Sequence, residues 1–149
     1  MAELLPLRRN DLSHEERTLC EAARQIAERA YAPYSKFRVG AAIRGADAVH
    51  TGVNVENASY GLSLCAERAA LAAFVGSGDR AIAALAVACI DASPGADPSE
   101  LMPCGACRQW MVELCPDAVV LVCSPDAAFY RFTVADLIPH AFDLRRSSH

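Results

Sequence analysis

Within "YGLSLCAERAALAAF", residues 60–74, a thiol, a carboxylate and a guanidinium fall inside four positions: Cys65, Glu67 and Arg68. They sit at the start of an alanine-rich run that otherwise suits burial. Further along, "PCGAC" places Cys104 and Cys107 three residues apart, and on a helix such positions share one face. Unpaired amides and the helix dipole at a helix start favour thiolate over thiol. Three thiolates on two helix starts make a tetrahedral zinc site with one corner open, the mark of a catalytic rather than a structural zinc. A carboxylate in an apolar helix start is costly unless it has a partner or a task. Beside a zinc-activated water, Glu67 could take a proton and pass it on.

The remaining titratable residues offer no rival centre. His14, His50, His140 and His149 lack ligand spacing to the three cysteines, and a structural zinc would call for two Cys-x-x-Cys pairs or a histidine pair. Cys89 in "AIAALAVACI" and Cys123 in "AVVLVC" read as small buried hydrophobes, and Cys20 and Cys115, without partner motifs, as structural. Seven cysteines, an odd number, argue against a disulfide framework and for a reducing compartment.

The elements that must hold these residues follow from pattern. Ser13 and Glu16 form a capping box at the head of "SHEERTLCEAARQIAERA", a helix expected to end at Pro33. "RVGAAI" and "VHTGVNV" predict two strands of a hairpin through "RGADA". A helix is expected from about Cys65 to Val75, stopped by Gly76, and another over "CGACRQWMVEL", stopped by Pro116. "AIAALAVACI" and "AVVLVC" predict central strands, "FYRFT" a last short one, and "TVADLIP" a short helix capped by Thr133. Alternating strands and helices imply a three-layer α/β/α sandwich on a mixed five-stranded sheet. The 149 residues are expected to form a single domain, with a flexible N-terminus over about 1–11 and a loose tail over about 144–149.

Composition limits the partners. The chain is 53% hydrophobic and 21% charged, as globular proteins are, and has no apolar run long enough to span a membrane. The segment "MAELLPLRRN" lacks a secretory apolar stretch, so a cytoplasmic location is expected. The net charge of −4 and the scattered Lys and Arg residues oppose nucleic acid as a partner and favour a small neutral or cationic substrate.

The order Cys-x-Glu then Pro-Cys-x-x-Cys is that of zinc deaminases, in which the glutamate shuttles protons and is not a ligand. "NVENASYGLSLCAERAAL" and "MPCGACRQWM" resemble the small homotetrameric cytidine deaminases. "YAPYSKFRVGAAI" and "TVADLIPHAF" are similar to that family in the same order, over about Leu12 to Phe142. The resemblance implies one zinc per subunit on Cys65, Cys104 and Cys107, with Glu67 as the catalytic proton carrier. It implies hydrolytic deamination of cytidine and 2'-deoxycytidine to the uridine counterparts, with ammonia released. Asn54 and Glu56 match the ribose-binding pair, and Phe37 the aromatic that packs on the pyrimidine. The Ala66 amide would face the ring carbonyl and the Met102 carbonyl the leaving amino group. Tyr60 and Phe142 match residues lent to a neighbouring subunit's site in a homotetramer. Arg68 matches an arginine that hydrogen-bonds the ligating sulfurs and offsets their charge.

The sequence departs from the family pattern in a longer "DASPGADPSELM" loop, in Arg38 and in Trp110. A blasticidin-type deaminase shares the zinc motifs, but "NVENASYG" favours a nucleoside. A nucleic-acid editing deaminase is opposed by charge and size. A zinc-stabilised binding module leaves Glu67 unexplained, and ammonia release would separate it from an enzyme.

Overall fold

The computed structural model describes residues 4–145. Its elements are α1 (His14–Ala27), β1 (Val39–Arg44), β2 (Val49–Val53), α2 (Ala66–Ser77), β3 (Ala84–Cys89), α3 (Gly105–Leu114), β4 (Val119–Cys123), β5 (Phe129–Thr133) and α4 (Val134–Leu137). The five strands form one mixed sheet in the order β2-β1-β3-β4-β5. β1 runs antiparallel to both β2 and β3, β3 and β4 are parallel, and β5 returns antiparallel to β4. The expected three-layer sandwich is therefore the observed fold.

Strand alternation separates the two faces. Ala41, Ile43, Leu85, Val87 and Val120 pack with α2, α3 and α4. Ala42, Ala84, Ala86, Ala88, Leu121 and Cys123 face α1 through Leu19, Cys20 and Ala23. Alanines on the second face bring α1 close to the sheet. Among the described residues no helix is long and apolar enough to cross a membrane.

Two glycines set how near the helices lie. A Cβ at Gly40 would stand 2.0 Å from the Ala23 carbonyl oxygen on α1, and one at Gly52 would stand 2.3 Å from the Ala70 amide nitrogen on α2. Gly52 thus fixes the seat of the helix that carries Glu67. A glycine-to-alanine change in relaxed backbone usually stabilises by restricting the unfolded chain. Here overpacking against helix backbone wins. Gly52→Ala is expected to destabilise by about 1–3 kcal/mol, read as a lower urea midpoint at unchanged slope. A midpoint equal to or above the parent's would mean that α2 is not held by this contact.

The hairpin is tied to the end of α2 by Asp79. Its carboxylate accepts from His50 Nε2 (2.7 Å) and from the amides of Asp47 (3.0 Å) and Ala48 (3.2 Å). The His50 bond, aided by these amides, holds the Asp79 carboxyl well below the usual range.

Several boundaries differ from expectation. α1 stops at Ala27, well before Pro33, because Tyr31 turns to pair with Val55. α2 runs through Gly76, where a side chain would meet open space, and ends at Gly78 in the left-handed conformation (φ 77°). The "DASPGADPSELM" loop contains a 3-10 turn over Pro98–Leu101, capped by Asp97. Within the N-terminal stretch expected to be flexible, Leu7 exchanges backbone hydrogen bonds with Phe129 (2.7 and 3.1 Å). The tail residues 146–149, His149 among them, lie outside the described residues.

Candidate metal centre and active site

Cys65 and Cys104 are the N-cap residues of α2 and α3, both in extended backbone, and Cys107 lies in the first turn of α3. The two helix starts face each other. Cys65 Sγ is 3.7 Å from Cys104 Sγ, which is 3.5 Å from Cys107 Sγ, and all three sulfurs lie within 4.8 Å of one another. Sulfurs on a tetrahedral zinc, at about 2.3 Å from the metal, sit roughly 3.8 Å apart. The donor set therefore fits a zinc ion. Among the described residues no histidine or carboxylate completes the cluster. His50, expected to be a packing or surface residue, is bonded to Asp79 and stands edge-on to Phe74.

The cluster is electrostatically prepared for a cation. Cys65 is drawn down to about 5, chiefly by the hydrogen bond from Cys107 and then by those from Arg68 and Cys104. Cys107, the proton donor in that pair, is pushed far up in turn. Arg68 Nη2 donates to Cys65 Sγ at 3.5 Å. Arg68 Nε is buried and has no hydrogen-bond partner among the described residues. Its charge is thus kept against the thiolate rather than in solvent.

Glu67 is only 5% exposed. Burial raises its carboxyl to about 7, and the nearby Cys65 charge pushes the same way, against its own backbone amide and Cys107. A carboxyl that titrates near neutrality can both accept and deliver a proton. Cys89, in the wall beside it, is pushed up to about 12 by burial and behaves as the small hydrophobe its strand suggested.

Above this floor lies a cleft of about 690 Å³. Phe37, Asn54, Glu56, Tyr60, Ala66 and Met102 all line it, with Cys65, Glu67 and Cys104. Phe142 is not brought there. Its side chain is exposed and its carbonyl accepts from Gln109 Nε2 (2.8 Å). A larger cleft of about 880 Å³, bordered by Val112, Asp117, Ala135 and His140, contains none of these groups.

Asn54 does more than face the cleft. Its Oδ1 accepts from the Val39 amide and its Nδ2 donates to the Phe37 carbonyl, both at 2.8 Å, which pins the aromatic to β1. Tyr34, Ser35 and Glu100, not singled out from the sequence, also line the cleft, together with Cys89, which was read only as a buried hydrophobe. They come from separate loops and a strand, with no common spacing to reveal them. Glu100 and Leu101 arrive on the 3-10 turn of the long loop. Arg38 anchors that loop by donating its amide, Nε and Nη2 to the Asp91 carboxylate (2.8–2.9 Å). Trp110 lies away from the cleft, partly exposed on α3.

Residues 13–123 match the model of the cytidine and deoxycytidylate deaminase zinc-binding region. A cytidine deaminase of Halalkalibacterium halodurans is 45% identical over 126 residues, 83% of this chain and 91% of that protein. One from Mycobacterium tuberculosis is 44% identical over 123 residues, 82% of this chain and 85% of that protein. The crystal structure of cytidine deaminase from Burkholderia pseudomallei superposes with a TM-score of 0.76 at 44% identity, covering 88% of this chain and all of the other.

Proposed function

Because the chain belongs to the cytidine and deoxycytidylate deaminase family with its zinc-binding region, we propose that it hydrolyses cytidine and 2'-deoxycytidine to uridine and 2'-deoxyuridine, releasing ammonia. The observation that carries this reading is a buried carboxyl, Glu67, held near neutral pKa beside three clustered thiols at the floor of a nucleoside-sized cleft. Cys65, Cys104 and Cys107 would hold one zinc ion. The chemistry that bound zinc supplies is a water acidic enough to attack the ring carbon at neutral pH.

The chain's own residues do the rest. Phe37 packs on the pyrimidine, and Glu56 accepts from a sugar hydroxyl. The Ala66 amide, one of the unpaired donors in the first turn of α2, faces the ring carbonyl. The Met102 carbonyl accepts from the amino group and so orients it for departure. Glu67 receives a proton from the attacking water and delivers it to ring nitrogen 3; it then takes the proton of the hydroxyl now on carbon 4 and passes it to the amino group, which leaves as ammonia as the ring carbonyl forms. Arg68 holds charge against the sulfurs. Absorbance change and ammonia release on cytidine, 2'-deoxycytidine and free cytosine test the reading. Turnover of cytosine equal to that of cytidine would overturn the sugar pocket. Seven free thiols suit a reducing, cytoplasmic setting.

The assembly is proposed to be a homotetramer whose sites are shared. Tyr60 is 78% exposed at the cleft mouth and Phe142 is 70% exposed. Val75 and the partly exposed Trp110 leave an apolar face on α2 and α3. A small ligand needs most of its surface enclosed, and neighbours with two-fold symmetry supply the missing walls. Sedimentation at assay concentration is expected to give a tetramer, and Phe142→Ala to raise KM while zinc content holds. A fully active monomer would return Tyr60 and Phe142 to ordinary surface roles.

A further inference from the structure

Glu56 does not stand alone at the cleft. Its two carboxylate oxygens accept from the Ser35 amide at 3.2 Å each, and Oε1 also accepts from the Ser35 hydroxyl at 2.8 Å. The same hydroxyl oxygen accepts from the Phe37 amide at 3.0 Å. That second bond occupies a lone pair and leaves the hydroxyl proton directed to Glu56. The turn that makes this possible bends at Lys36, whose φ of 58° lies in the left-handed region that non-glycine residues seldom enter. The Lys36 amide is held by the Ala32 carbonyl (3.1 Å), and the Glu56 amide by the Tyr31 carbonyl (2.9 Å). A strained backbone kept in place by several bonds marks a constraint that the surroundings enforce.

We propose that Ser35 is a positioning residue for sugar recognition: its hydroxyl takes Glu56 Oε1 and thereby presents Oε2 to a ribose hydroxyl. The inference rests on the deaminase reading above and adds a residue to it. Ser35 lies between the aromatic wall and the sugar acceptor, so one short turn sets the distance between the base and sugar subsites. Without the hydroxyl, the Ser35 amide still touches both carboxylate oxygens, but nothing distinguishes one from the other.

Steady-state kinetics of Ser35→Ala and Ser35→Thr test this, with zinc content and circular dichroism as controls. Ser35→Ala is expected to raise KM for cytidine about tenfold, the scale of one charge-assisted hydrogen bond, with kcat within about twofold of the parent. Ser35→Thr keeps the hydroxyl and is expected to restore KM. On 2',3'-dideoxycytidine, which lacks the hydroxyls Glu56 would bind, the KM of Ser35→Ala should match the parent's. In a Glu56→Ala background the serine change should add nothing. An equal KM rise on dideoxycytidine or in that background would overturn the proposal, because Ser35 would then act through Phe37 or the fold. So would an unchanged KM for cytidine in a folded, zinc-loaded Ser35→Ala protein. A parent protein inert towards cytidine would instead overturn the deaminase reading itself.

Discussion

Glu67→Gln is expected to keep one zinc per chain and the native fold while losing turnover by at least about 100- to 10,000-fold, the range a single general acid–base group contributes. The amide is nearly the same size as the carboxyl it replaces and leaves the helix start intact. It cannot accept either of the two protons that the reaction must move, one to ring nitrogen 3 and one to the departing amino group. Burial raises Glu67 to about 7, so the parent carboxyl exchanges a proton readily near neutral pH and glutamine removes that capacity at every pH. Ammonia release on cytidine, with elemental analysis of the same sample, gives the answer. Turnover within tenfold of the parent in a zinc-loaded variant would assign the proton transfers to another group.

Cys107→Ala is expected to lose metal and activity together. Cys107 is fully buried, with Sγ 3.5 Å from Cys104 Sγ. Its loss leaves two thiols, too few to hold the ion in a tetrahedral site. Changing a residue that merely supports a ligand weakens metal binding by about 10- to 100-fold, and removing the ligand itself should exceed that. The comparison is Cys115→Ala, which deletes a buried thiol outside the cluster. That variant should keep its zinc. Equal zinc loading in both variants would remove Cys107 from the ligand set.

How far the sequence discloses this site depends on the range over which each signal acts. Cys104 and Cys107 are legible because one helical turn brings them together, and Glu67 because it follows Cys65 within that residue's own turn. The meeting of Cys65 with Cys104 is long-range, and before the fold only their common place at helix starts and the family resemblance connect them. Helix ends are less legible. Gly76 and Gly78 are equally plausible stops by residue type, and the left-handed turn at Gly78 decides between them. Pro33 is a breaker by type, yet the pairing of Tyr31 with Val55 ends the helix earlier. The alternation that places Ala41 on one face of the sheet and Ala42 on the other is local and was readable. The rest of the cleft wall was not: Ser35, Cys89 and Glu100 converge from a turn, a strand and a loop that share no periodicity.

The separation of the thiols along the chain has a consequence for the denatured protein. Cys65 and Cys104 stand 39 positions apart. An ion that grips both is a reversible cross-link, and it confines the chain between them. For a covalent link closing a loop of that length, the entropy removed from the unfolded ensemble is on the order of 4 kcal/mol. Chelation therefore does more than silence chemistry. It returns to the loosened chain a freedom that the bound ion had withheld, and the metal acts as a clasp on the closed fold.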